Sequence, residues 1–544
     1  MDADTDRAMR AATLYKRLVV GSLLIALAGC TTLPPGSDYP KERTTAFAQP
    51  ATTRLGSALA KAYAAHPDQS GFRIVPYGVD GLLLRTQSIR AAQRSLDIQY
   101  YIFAEDDTGK AIQQSILDAA DRGVRVRLLI DDENSFRDSE AQEIISSLND
   151  HKNIELRLFN PFVYRGRVPI LRYFDIVANE PRINHRMHNK LLVADNAVAV
   201  IGGRNVADEY FDAGAPPVRF GDFDVVVFGP VVPQLSASFD AFWNSSLAIP
   251  QQALAPVGSG VPSLPEARAE LKSHRTNVDP QDTERRLNQG DPLNGLLDGR
   301  LSLVWAKATV IADPPEKAEV PPGEPVHSPV ARELMRDMRS AKRDVVIVSP
   351  YLVPGPHVLD VLKELRQRKV RVRILTNSLS STDAPIVHSA YRRYRLPLLE
   401  SGVELSEVRA ASDGHSTGSG GSGGSAGDEA PFALHAKLYV FDERRVFIGS
   451  ANFDRRSFKV NTEIGLLIDS AELARQITAQ FEQFAASPNS YRLVLDEKGP
   501  LGPRIRFHTQ VDGKTVDLDD DPDTTQWRRF EVAMYSMLPI DELL

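Results

Sequence analysis

Apolar and polar positions along this chain fall into two runs of the same alternation. In the first run, short unbroken apolar segments read as buried strands over Leu96–Phe103, Val124–Asp131, Ile154–Phe159 and Phe223–Phe228, with a helical period over Gly109–Arg122. The order then recurs as strand Val345–Leu352, helix His357–Arg368, strand Val370–Thr376, helix Asp383–Glu400, strand Val403–Val408 and a final strand Ile464–Ile468. Continuous apolar strands alternating with helices predict an α/β fold class, with mixed sheets covered on both faces and two domains, 71–248 and 301–490. Residues 249–300, rich in Pro, Gly, Gln and charge, read as a connector, and 313–328 as a surface loop. The run 416–427 is nearly all Gly and Ser and reads as an inserted flexible loop. Within a C-terminal extension, 491–544, a helical period puts Phe530, Met534, Met537 and Leu538 on one face. Packing of that face on the second domain is the expectation, and contact with a bilayer surface the alternative.

The repetition extends to the chemistry. His188-Asn189-Lys190 is followed by Asp195 and by Gly202-Gly203-Arg204-Asn205; His435-Ala436-Lys437 is followed by Asp442 and by Gly449-Ser450-Ala451-Asn452. The paired His, Lys, Asp and Asn are each displaced by 247 positions, which marks a duplication. Both motifs lie in apolar stretches, 186–193 and 433–440, that read as strands, so each His faces the same way as the Lys two residues on. An imidazole beside an ammonium suits a phosphate. The Lys neutralises non-bridging oxygens, the His supplies a nucleophile or a proton, and Asn205 and Asn452 donate amide hydrogens. Two histidines permit a covalent two-step route, in which one attacks phosphorus while the other protonates the leaving alkoxide and later deprotonates the acceptor. The two domains are expected to pack motif against motif, with one half of the site on each.

Imidazoles in such roles need carboxylates to orient them. Asp222 and Glu463 open the strand after each motif, 34 and 28 positions past the histidine of their own copy, and are the candidates. Asp195 and Asp442 belong to the motif but are expected to secure the loop through ion pairs and hydrogen bonds. Asp131-Asp132 and Asn377-Ser378 end equivalent strands, where ligand groups and turn caps are equally expected. Tyr100, Tyr101 and Tyr351 close the first strand of each half and read as core, with a channel lining as the alternative. His185 is three residues from His188, a spacing that points the rings apart on a strand and excludes a metal pair there. His388 reads as a hydrogen-bonded helix histidine.

These motifs resemble the phospholipase D superfamily. The stretches SLDIQYYIF, RVRLLIDDEN, RLFNPF, RMHNKLLVAD, GGRNVADEYF, ILTNSL, VHSAY and NTEIG are similar to the bacterial cardiolipin synthases, most of all to the C-type branch. The resemblance implies two phospholipase D-like domains related by a pseudo-two-fold axis, and a phosphohistidine mechanism with no metal or cofactor. It implies transfer of a phosphatidyl group to phosphatidylglycerol, with phosphatidylethanolamine or phosphatidylglycerol as donor. Hydrolysis to phosphatidic acid by the same residues is the alternative, ahead of a nuclease or a non-catalytic lipid-binding scaffold. The Gly/Ser run is a departure from the family pattern.

Charge and the N-terminus narrow the setting. A net charge of −7 and a pI near 5.9 offer no basic field for nucleic acid, so none is expected as a partner. Arg10, Lys16 and Arg17 precede an apolar run, Leu18–Ala28, too short to span a bilayer core of roughly 20 helical residues. With Leu27-Ala28-Gly29-Cys30 it has the layout of a signal peptide over 1–29, and it resembles a lipoprotein signal with Cys30 as the lipidated residue. Cys30 is the only cysteine, so no intrachain disulfide forms. Residues 30–70 then read as a tether. The chain is expected on the periplasmic side of a bacterial membrane, and by resemblance to sorted lipoproteins the absence of Asp after Cys30 implies the outer membrane. Membrane phospholipids are the expected partners, and no helper protein is legible.

Overall fold

A computed structural model describes residues 33–133, 143–165, 168–214, 216–254, 261–274, 291–321, 323–410, 430–497, 502–511 and 513–537. The leader, Cys30, the Gly/Ser run 416–427 and Leu538 lie outside the described residues. The two sequence runs build the same sheet twice. In the first, Ile154–Phe159, Arg125–Asp131 and Ser95–Tyr100 are parallel neighbours. Leu191–Ala194, Val198–Gly202, Asp224–Phe228 and Ser70–Val75 continue it antiparallel. In the second, Glu404–Val408, Arg371–Asn377 and Asp344–Val348 are parallel, and Leu438–Phe441, Arg445–Gly449, Ile464–Asp469 and Val304–Ala312 follow antiparallel. The chain is therefore a mixed α/β protein of two repeated halves, as the alternation predicts.

The halves are fused rather than merely adjacent. Ser70–Val75 pairs with Val304–Ala312, Ser70 opposite Ala306, so one sheet runs through both. Three apolar clusters fill the layers, and the middle one draws Leu191, Val193 and Val225 from the first half and Leu438, Val440 and Leu466 from the second. Strands such as Asp224–Phe228 are buried at every position, which is why their sequence reads as an unbroken apolar run.

Several expectations are corrected. The motif stretches are not single strands: the hairpin strands begin only at Leu191 and Leu438, and the His and Lys sit in the segments that lead into them. The expected tether packs on the first domain over its described part. Lys41 donates to the carbonyls of Ser245 and Ala248, and Arg127 and Arg157 donate to those of Thr44 and Glu42. The connector contributes helices Leu264–Ser273 and Pro292–Leu297. The 313–328 loop hides a fully buried Asp313–Lys317 ion pair at 2.7 Å. The C-terminal extension starts as a strand, Ser490–Asp496, that pairs with Glu404–Val408 and enlarges the second sheet. Asp521 in that extension pins the helix Pro385–Glu400 through Arg395 at 2.7 Å.

Asp195 and Asp442 are structural by position. Each begins a pair of left-handed residues at a hairpin tip, Asp195–Asn196 and Asp442–Glu443. The Asp195 carboxylate accepts the backbone amides of Gln93, Arg94 and Ser95, and Asp442 those of Lys342, Arg343 and Asp344. The tip is thus stapled to the start of the first strand by amide hydrogen bonds rather than by the expected ion pairs, and neither Asp borders the catalytic cavity described below. Asp195→Ala strands these amides and is expected to lose about 3 kcal/mol of stability. Urea denaturation at unchanged slope checks this, and a loss below about 0.5 kcal/mol contradicts the role.

Candidate active site

The motif segments are placed by backbone bonds across the domain boundary. Phe432–Leu434, leading into His435, pairs in parallel with Arg219–Gly221, and Met187 bridges Thr462. The amide of His188 donates to the carbonyl of Thr462 at 3.0 Å, and that of His435 to Gly221 at 2.8 Å. Each acceptor is the residue just before the other domain's carboxylate. A second clamp acts from the strand ends: Asp131 accepts the amide of Met187 and the guanidinium of Arg186, while the Asn377 side chain bonds both the amide and carbonyl of Leu434. The strand-end pairs thus resolve into Asp131 and Asn377 as equivalent clamps on the residue before each histidine.

The carboxylates consequently serve the opposite histidines. Glu463 meets His188 Nδ1 at 3.0 and 3.1 Å, and Asp222 meets His435 Nδ1 at 2.6 Å. Counting offsets within each copy suggested the reverse pairing; the parallel bridges carry each carboxylate over the boundary instead. Gly203 is obligatory here, because a Cβ would stand 2.2 Å from Asp222 Oδ1. In the second copy Ser450 occupies that place beside the longer Glu463, and its hydroxyl, with that of Ser457, donates to the carboxylate. The Glu463 backbone is further held by Asp313, which accepts its amide and donates to its carbonyl.

With Nδ1 of each imidazole held by a carboxylate, the Nε2 edge is the one available to a substrate, and on His435 it lies 3.1 Å from Lys437 Nζ. His188 and His435 border one cavity of about 390 Å³ with Asn205, Asn452, Tyr101 and Tyr351. Tyr101 stands edge-on to His188 at 5.2 Å and Tyr210 to His435 at 5.0 Å. The expected core role therefore holds for Tyr100, which is buried against Arg85, while Tyr101 and Tyr351 face the cavity because the strands end at Tyr100 and Val348. The Asn205 amide donates to Tyr210 Oη and its carbonyl accepts the amide of Ile102; Asn452 Oδ1 has no partner among the described residues. Lys190 donates to the His188 carbonyl at 2.7 Å, and Lys437 lies 2.7 Å from His435 Nδ1 and 4.0 Å from Asp222. His185 bonds the carbonyl of Val460, and His388 is a buried helix residue bonded to Arg395, as expected.

Burial sets the protonation states. Enclosure, with Lys190 and Lys437 nearby, lowers His188 from 6.5 to about 4 against the pull of Glu463. The His188 imidazole is therefore neutral at pH 7. Burial lowers Lys437 to about 8 and Lys190 well below its ordinary value, opposed by Asp222 and Glu463. Burial raises Asp222, and it would raise Glu463 too, but His188, Lys190 and Ser450 bring Glu463 below the usual carboxylate range. Burial also takes Asp454, on the cavity wall, up to about 7. Asp454, Tyr210, Ser450, Ser457 and the Asp313–Lys317 pair carry no repeat in the sequence, so motif reasoning passed over them.

Comparison with known proteins bears on the family and the fold. Residues 86–243 and 334–485 match the family described as cardiolipin synthase, phospholipase D-like domain. The chain is 36% identical to cardiolipin synthase C of Escherichia coli (strain K12), across 90% of this chain and 100% of that one. It is 33% identical to an uncharacterised protein of Helicobacter pylori (strain J99), across 91% and 93% of the two chains. A phosphatidylserine synthase of Haemophilus influenzae shares the fold, with a TM-score of 0.53 over 89% of this chain and 99% of that one at 12% identity.

The crossed pairing makes a spectroscopic prediction. In ¹⁵N spectra of the histidine side chains, Glu463→Gln should shift the His188 nitrogens and leave those of His435 in place, with Asp222→Asn doing the converse. Each substitution perturbing the histidine of its own half would contradict the pairing.

Proposed function

This chain belongs to the cardiolipin synthase family with phospholipase D-like domains, and we propose that it is a phosphatidyltransferase that makes cardiolipin through a phosphohistidine. His188 Nε2 attacks the phosphorus of the donor lipid while protonated His435 gives its proton to the departing head-group oxygen, and the phosphorus–oxygen bond breaks. The phosphatidyl group then rests on His188. A hydroxyl of phosphatidylglycerol passes its proton to His435 and attacks the same phosphorus; the phosphorus–nitrogen bond breaks, cardiolipin departs, and both histidines are restored. Lys190, Lys437, Asn205 and Asn452 take the non-bridging oxygens, and Glu463 and Asp222 hold the imidazole rings.

One observation carries this reading: two histidines, each held by a carboxylate from the other domain and each with a buried lysine two residues on, open onto a single cavity. The neutral state of His188 suits a nucleophile for the first step. Phosphatidylethanolamine as donor, and attachment through lipidated Cys30 on the periplasmic side with the outer membrane favoured, complete the proposal. No helix among the described residues is long and apolar enough to cross a membrane.

Purified mature protein in mixed vesicles should convert labelled phosphatidylglycerol to cardiolipin, with yield rising when phosphatidylethanolamine is added. Phosphatidic acid without cardiolipin would make the protein a hydrolase instead. His188→Ala or His435→Ala should abolish turnover in a folded protein, and wild-type activity in either variant would sink the shared-site mechanism.

Attack requires neutral His188, while proton donation requires protonated His435 and charge neutralisation protonated Lys437. The kcat/KM profile should therefore fall on the acid side near pH 4 and on the alkaline side at or below about pH 8. An acid limb that stays near 6.5 would show His188 to be exposed to water in the working enzyme.

A further inference from the structure

Among the described residues, large apolar side chains left in solvent are concentrated on two helices, one in each half, that each reach the wall of the catalytic cavity. Val168, Ile170, Leu171, Tyr173 and Phe174 are all exposed at the start of the helix Pro169–Ile183, with Phe174 at 59%. Trp527, Phe530, Met534 and Met537 are exposed along the helix Gln526–Tyr535 and just beyond it, Trp527 at 72% and Met537 at 76%. This corrects the expectation that the C-terminal apolar face packs on the second domain: that helix docks through Val532 and through Arg528, and its apolar face is bare. Among the described residues only three other large apolar side chains are exposed, and one of them, Ile386, also stands at the cavity end of its helix.

Both helices reach the rim, one from each domain, the first through its C-terminal end, with its exposed side chains roughly 15 Å further out along its axis. Pro169–Ile183 runs into Asn184 and the first motif, and Asn184 accepts from Arg456 of the cavity wall at 2.7 Å. On the other side Arg528 donates to the carbonyl of Thr382 at 2.6 Å, next to Asp383 and Ala384 of the cavity wall. Exposed Arg392 and Arg393 lie beside the C-terminal helix, Arg393 bonding the carbonyl of Ser536.

We propose that these two helices form one membrane-docking surface that seats the cavity mouth on a phospholipid leaflet. Aromatic and methionine side chains enter the head-group boundary on both sides of the opening. A lipid leaflet fits better than a protein partner: a protein covering both patches would seal the opening between them, whereas a leaflet covers both and delivers substrate through it. This rests on the lipid-substrate reading above. It adds that the folded domains, independently of any N-terminal anchor, orient the site toward the bilayer.

Trp527 provides the test, since Trp243 is buried and Trp305 is stacked on His66. The full-length protein is mixed with vesicles of phosphatidylglycerol and phosphatidylethanolamine carrying brominated acyl chains. The fluorescence difference between wild type and Trp527→Phe should be quenched and blue-shifted. A protein held only by an N-terminal anchor would show no quenching of that difference, and the proposal would fail. Tyr173→Ser/Phe174→Ser and Phe530→Ser/Met534→Ser should each lower turnover on vesicles about tenfold or more while leaving turnover of monomeric short-chain lipids unchanged. Equal losses on both substrates, or a self-association in sedimentation that these variants abolish, would overturn docking in favour of a structural or dimer-forming role. Quenching without turnover by the wild type on either substrate would instead count against the proposed activity and leave docking standing.

Discussion

Two backbone hydrogen bonds across the domain boundary hold this molecule's chemistry in place: His188 to Thr462 and His435 to Gly221. Each lies one residue from a carboxylate, so fixing the main chain also fixes which imidazole that carboxylate reaches. Neither half alone has an oriented histidine. The duplication thus serves function directly, because a pair of identical edges meeting head to head makes two complementary half-sites from one design. The continuous sheet and the shared middle core keep those edges in register, and a shift of the domains by one residue would uncouple both pairs at once.

Enclosure gives the site its electrical character. Lys190, Lys437, Asp222 and Glu463 are all essentially withdrawn from water, an expensive state unless charges are matched nearby. Matching is incomplete by design of the fold: the ammonium groups are shifted toward losing their protons and His188 cannot easily gain one. Under the proposed mechanism, an arriving phosphodiester would supply a further anion to the two ammonium groups, which ties binding energy to the geometry of transfer.

The two halves have also diverged where symmetry is least useful. Gly203 makes way for Asp222, while Ser450 at the matching place donates to a longer Glu463. Glu463 has a further brace from the buried Asp313–Lys317 pair, which reaches the helix Arg455–Lys459 through the carbonyl of Ser457. His188 therefore sits against the more heavily supported carboxylate, and the surroundings of the two histidines are no longer equivalent. The aromatic walls differ too: Tyr101 lies on one ring, Tyr210 and Phe220 on the other.

Read alone, the sequence determined the duplication, the α/β class and the pairs His188/His435, Lys190/Lys437 and Asn205/Asn452. Repeated spacing and side-chain period are local properties that survive translation along a chain. Strand cores were legible for the same reason, whereas their ends were not: Tyr100 and Tyr101 are alike in sequence, but one is buried against Arg85 and the other faces the cavity. Tertiary structure alone decided that Glu463 serves His188 and Asp222 serves His435, since that depends on which edges of two distant segments pair. It likewise decided that the Trp527–Met537 face stays bare, because an amphipathic period shows that a helix has an apolar side but not what meets it.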